Sequence, residues 1–187
     1  MSKIPEFHFH YANLLEPYAV HSIPPKEEIT KLIIEYVNLW DEYKVKILTA
    51  LCDITGLTFR NTELDVHVAF TGRSSSIPLI VSGIFKADQL IDILTHELIH
   101  RLTADNAEQH KPNKILHQQF KEETNSTRVH IAVFALHTYL ILDVLKEPAR
   151  LERDKKRAKM NPDEKRAYEI VDQQGYMSII NSLEKPS

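Results

Sequence analysis

Three residues in the middle of the chain have the types and the spacing to hold a metal ion and move a proton beside it. His96, Glu97 and His100 form H-E-x-x-H within LIDILTHELIHRLTAD, residues 90–105. On an α-helix, positions i and i+4 lie one above the other, so His96 and His100 offer two imidazoles to one cation while Glu97 stands at the same edge. Such a pair suits Zn²⁺, and the neighbouring carboxylate suits a general base acting on a water. Burying paired imidazoles and a carboxylate in an apolar helix without a use for their lone pairs would be costly.

The segment reads as a helix. Ile91, Leu94, Leu98 and Leu102 recur at spacings of three and four, and neither Pro nor Gly interrupts 87–105. Asp88, in the turn after Phe85 and Lys86, is the expected N-cap.

A catalytic zinc takes three protein ligands and leaves one position for water. His130 is the first candidate for the third, at the start of an apolar helix expected over 129–146 (VHIAVFALHTYLILDVLK) and directly after a long polar connection, 106–128. His137 lies two turns further along the same face. Glu122 or Glu123 is the carboxylate alternative. A second donor to steady an oxyanion is sought among His137, Tyr168 and Tyr176.

The remaining elements must position these groups. The arm 1–25 carries Pro5, Pro17, Pro24 and Pro25, and Phe7 to Tyr11 alternates as a short edge strand whose His8 and His10 read as surface residues. Two supporting helices follow, from Lys26 to about Trp40 and from Tyr43 to Ile54, the second carrying Val45, Leu48, Leu51 and Cys52 and stopped by Gly56. Strands are expected at 64–70, with His67 facing solvent, and at 77–85, the latter feeding into the metal helix. A short helix is expected near 115–122 within the polar connection. The charge-rich stretch 151–168 mixes signs and reads as a solvated face. A last helix over 162–183 should bend at Gly175, with Ile170, Val171, Met177, Ile179 and Ile180 closing the core.

The pattern predicts one α+β domain over 1–187, in which a small antiparallel or mixed sheet packs on the H-E-x-x-H helix and further core helices. A chain of this length buries a real core. Its 23 basic and 26 acidic residues, net −3, argue against a nucleic-acid surface. The single cysteine excludes an internal disulfide and fits a cytoplasmic setting. The N-terminal residues lack a secretory h-region, and no run is expected to span a membrane. The oligomeric state is not legible.

HELIH in an apolar helix, followed by TRVHIAVFALHTYLILDVL and RAYEIVDQQGY, resembles a family of small, uncharacterised prokaryotic proteins grouped with the zincin metallopeptidases. The resemblance runs from about Glu28 to Ile180. It implies a zincin-like fold, Zn²⁺ on His96, His100 and His130, Glu97 as general base, and a peptide or protein substrate. It also implies a strand edge beside the cleft, falling to part of 77–85, that pairs with an extended peptide. The chain departs from better-known subclasses, because Thr103 and Asn106 stand where H-E-x-x-H-x-x-G-x-x-H requires Gly and His, and there is no clear N-E-x-x-S-D segment. The alternative is a metal-binding or scaffold protein without turnover.

Overall fold

The computed structural model describes residues 4–107 and 113–183. Strand β1, Glu6–Tyr11, lies at one edge of a four-stranded sheet and pairs in parallel with β2, Glu63–Ala69. A parallel pair needs a long crossover. Helix α1, Lys26–Thr55, supplies it. Alternation turns Phe7 toward the core, edge-on to Trp40 at 5.3 Å between ring centroids.

The two helices expected over 26–54 are one. Nothing between Lys26 and Thr55 breaks the backbone ladder, since the first Gly or Pro after Pro25 is Gly56. Gly56 ends α1 with φ 71°, a left-handed conformation that favours glycine. Ile29, Tyr36, Trp40, Ile47, Leu48 and Leu51 form its buried stripe, whereas Val45, expected in that stripe, is 56% exposed. The Tyr36 hydroxyl donates to the Phe85 carbonyl at 2.6 Å, tying α1 to the chain just before the metal-motif helix.

In β2, Leu64, Val66 and Val68 are buried and His67 points to the other face, as alternation requires. β4, Leu79–Ser82, runs parallel to β2, and the two-residue β3, Ser75–Ser76, pairs antiparallel with β4. The order β1-β2-β4-β3 makes the sheet mixed. The strand expected over 77–85 is therefore shorter and interior, and the edge beside it belongs to β3. Gly83 follows β4 where a side chain would be tight: a Cβ would stand 3.1 Å from the Phe70 ring, which would have to give by a few tenths of an ångström.

Helix α2, Ala87–Asp105, carries the H-E-x-x-H motif. Its N-cap is Lys86 rather than Asp88, because the chain is extended at Lys86 and helical immediately after it. The Lys86 amide donates to Gln89 Oε1 at 3.1 Å. Asp88 sits inside the first turn instead and pairs with Arg153. Leu90, Leu94, Leu98 and Leu102 are buried, and α2 touches both the sheet and the helical layer beyond it.

Helix α3, Asn113–Gln119, interrupts the polar connection, starting slightly before its expected place; residues 108–112 of that connection lie outside the described ones. Helix α4, Asn125–Tyr139, begins four residues before the expected Val129, because the Thr124 side chain accepts the Thr127 amide at 3.0 Å and caps it. It continues as a π-helical turn, Leu140–Leu145. By length and composition Asn125–Leu145 is apolar enough to cross a membrane, contrary to the expectation that no run would be. Its place in the core accounts for that apolarity: Ile131, Val133, Phe134, Ala135, Leu136 and Leu140 are buried.

Helices α5, Pro148–Ala158, α6, Pro162–Gln174, and α7, Tyr176–Ser182, complete the layer, with α6 and α7 packed on α4. The expected break falls at Gly175, φ 81°. Ile170, Val171, Ile179 and Ile180 close the core, while Met177 is 36% exposed.

The charge-rich stretch is not a solvated face throughout. Asp154, within it, and Arg150, just before it, are buried in α5. Arg150 donates to Asp92 Oδ1 at 3.1 Å and to the Asp88 carbonyl at 2.8 Å, and Arg153 reaches Asp92 Oδ2 at 2.6 Å. Arg150 and Arg153 of α5 are thus spent on α2, and they fix one helix against the other.

Candidate metal centre

Helix spacing brings His96 and His100 together on one face of α2, with Nε2 of each 3.1 Å from the other. His130 arrives from α4, its ring centroid 5.5 Å from that of His96 and 5.1 Å from that of His100. One ligand atom from each of the three lies within 4.8 Å of the others. His130 is in the second turn of α4 rather than at its start, and the earlier helix start explains why it is held firmly.

Protonation is readable from the partners. His130 Nδ1 stands 2.8 Å from the Ser126 carbonyl, which can only accept, so Nδ1 carries a hydrogen and Nε2 is the atom left to offer a lone pair when the ring is neutral. Burial pushes His96 well below the ordinary imidazole range, with His100 adding to the effect and Asp154 opposing it. Burial, then the neighbouring His130, lowers His100 to about 4. His96 and His100 are thus neutral at pH 7, the state a metal ligand needs.

The three residues fit a divalent cation. Metal–nitrogen bonds of about 2.0 to 2.1 Å in a tetrahedron set ligand nitrogens about 3.3 Å apart. The His96 to His100 separation of 3.1 Å is close to that edge. An all-imidazole donor set suits zinc and its borderline neighbours in the first row. Behind the rings, Phe134 stacks face to face on Tyr168, centroids 3.9 Å apart, and lies 5.4 Å from the His96 ring and 5.5 Å from that of His130.

Glu97 faces the same cleft. The cleft has a volume of about 690 Å³, and its lining includes the three histidines, Glu97, Arg73, Ser76, Arg157, Asn161 and Glu164. Burial raises the Glu97 carboxyl to about 7, with Arg157 opposing and Glu164 adding to the rise. A carboxyl that titrates near neutrality can both take and return a proton there.

The other candidates lie elsewhere. His137 is buried with Nδ1 3.2 Å from Asp154 Oδ2, its ring centroid 6.2 Å from that of His96, and it does not line the cleft. Glu122 is 88% exposed beside Lys121, and Glu123 accepts from Arg166 at 2.7 Å. Neither glutamate meets the histidines. Tyr168 is buried and donates to Asp154, and Tyr176 donates to Asp143 Oδ2 at 2.8 Å, so neither hydroxyl serves the cleft. His8 and His10 sit near Glu63 and Asp65 on the sheet, as surface residues.

The residues that sequence reading missed are Arg157, Asn161 and Glu164, with Asp154 behind them. Leu151, Asp154 and Ala158 share one face of α5 and are all buried. That apolar spacing, interrupted by a carboxylate, was the available signal that Asp154 points inward.

Comparison with family models, curated proteins and solved structures found no match for this chain.

Proposed function

We propose that this chain is a zinc-dependent hydrolase of zincin-like arrangement, acting on peptide bonds. The observation that carries the reading is the convergence of His96, His100 and His130 at a cleft also lined by Glu97. Nε2 of each of the three histidines would hold the ion. Bound there, zinc would supply a Lewis acid and lower the pKa of a water at its open position.

The chain's own groups do the rest. Glu97 takes a proton from water onto its carboxylate, orients that water toward the carbonyl carbon, and passes the proton to the leaving nitrogen. Phe134 and the buried shell of α2 and α4 hold the imidazoles, so the site rests on two helices rather than on a loop. The sheet edge beside the cleft is β3, where Ser76, with Ser74 just before the strand, lines the wall. It supports pairing with an extended main chain, over a short length because β3 has two residues.

A closed structural site would take four protein ligands. Among the described residues the cluster has three, and it opens on the cleft, which favours hydrolysis over the scaffold alternative. The test is metal analysis of the purified protein, followed by incubation of the zinc-loaded protein with a peptide library and mass spectrometry of the products. Chelator-sensitive cleavage supports the reading; full zinc occupancy with no cleavage of any peptide moves it to the non-catalytic alternative.

A further inference from the structure

Arg157 reaches the cleft from the end of α5 with its guanidinium half spent. Nε and Nη2 donate to one oxygen, Asp154 Oδ1, at 3.1 and 2.8 Å. Asp154 is itself buried and gripped from behind by the Tyr168 hydroxyl and by His137. The guanidinium plane is therefore fixed. Its outer edge, Nη1 with the remaining Nη2 hydrogen, has no hydrogen-bond partner among the described residues.

Glu164 comes nearest, with Oε2 3.9 Å from Nη1, beyond hydrogen-bonding distance. Asn161 Nδ2 donates to Glu164 Oε1 at 3.1 Å and holds it in that place. The Arg157 side chain keeps 34% of its surface exposed and lines the same cleft as Glu97 and the histidines. A rigid pair of parallel N–H groups matches the two oxygens of a carboxylate better than the single oxygen of a carbonyl.

We propose that Arg157, oriented by Asp154, recognises a carboxylate on the substrate, so that the cleft selects short peptides bearing a free carboxylate near the scissile bond. This rests on the hydrolase reading for its substrate class. Glu164, beside the same edge, weakens the interaction by like charge and sets a limit on affinity. Two sources supply the chemistry: a C-terminal carboxylate, or an Asp or Glu side chain.

The test separates recognition from turnover. Zinc-loaded full-length protein carrying Glu97→Gln, to slow cleavage, is dialysed against three tripeptide pools: free acids without Asp or Glu, the same peptides amidated, and amidated peptides with one Glu. Retained peptides are counted by mass spectrometry. A charge-assisted fork should favour a carboxylate-bearing pool over the plain amides by about tenfold to a hundredfold. Retention of the free acids assigns the C-terminal source, and retention of the Glu amides the side-chain source. Adding Arg157→Lys should reduce the preference and Arg157→Gln abolish it, while Glu164→Gln, which leaves the Asp154 pair intact, should increase it. Equal retention of all three pools, or a preference unchanged in Arg157→Gln, or, should that variant not fold, unchanged in Glu164→Gln, overturns the proposal. Wild-type protein with the same pools reports cleavage separately, so selective binding without products would remove the hydrolase reading and leave the recognition standing.

Discussion

His96 Nε2 and His100 Nε2 face each other at 3.1 Å, and both rings are held neutral by burial. Two neutral imidazoles at that distance either share one proton between their nitrogens or turn both lone pairs on one cation. The third imidazole, His130, has its Nδ1 occupied by Ser126 and therefore brings another lone pair to the same place. A single metal ion would satisfy all three.

Glu97 is expected to act on protons and not on metal. Glu97→Gln retains size and hydrogen-bonding capacity, so zinc content and thermal unfolding should stay near those of the parent, while hydrolysis falls by about a hundredfold to ten-thousandfold. Parental turnover by the purified variant on a peptide that the wild type cleaves would remove Glu97 from the mechanism.

Asp154 should govern acid stability. Burial alone would raise its carboxyl, yet His137, Arg157 and the Tyr168 hydroxyl together hold it well below the usual carboxylate range. A carboxyl depressed on folding adds stability above its unfolded pKa of about 3.9 and loses it as the pH falls from there toward the folded value. Asp154→Asn should therefore be less stable than the parent by about 3 to 5 kcal/mol at pH 7, the cost of breaking a buried pair. Urea unfolding of both proteins across pH 7 to 3 should show that gap narrowing below about pH 4. A gap that is constant across this range would mean that Asp154 contributes shape and not charge.

Much of this was legible in the residues. The apolar spacing around His96 and His100 defined α2, and the position of His130 in the next apolar helix found the third imidazole. The elements that escaped are those whose character comes from tertiary partners. β3 is two serines with no alternation to detect. The single helix α1 was read as two because its stripe thins around Asp41 and Glu42, although no residue there breaks a helix. Asp154 and Arg157 looked solvated because a charge run read by composition says nothing of burial; each charge is compensated by a partner that the fold brings to it. The oxyanion candidates failed for the same reason, since the Tyr168 hydroxyl already serves Asp154.

Phe134 and Trp40 separate stability from site geometry. Each is fully buried, so truncation to Ala should cost about 3 to 5 kcal/mol in either case. Only Phe134 backs the His96 and His130 rings. Phe134→Ala should weaken zinc binding as well as folding, whereas Trp40→Ala, measured at a temperature where it remains folded, should bind zinc as the parent does. Equal zinc affinity in the two variants would show that the imidazoles need no support from Phe134.

The most direct measurement is zinc affinity by competition with a chromogenic chelator, comparing wild type, His130→Ala and His137→Ala. With His96, His100 and His130 as ligands, one zinc binds per chain, and His130→Ala loses more than the about 10 to 100-fold that removal of an outer-shell partner costs. His137→Ala, which lies behind the site against Asp154, should stay within that smaller range. Equal affinities for the two variants, or a folded wild-type protein that takes up no zinc, would contradict a three-histidine metal centre.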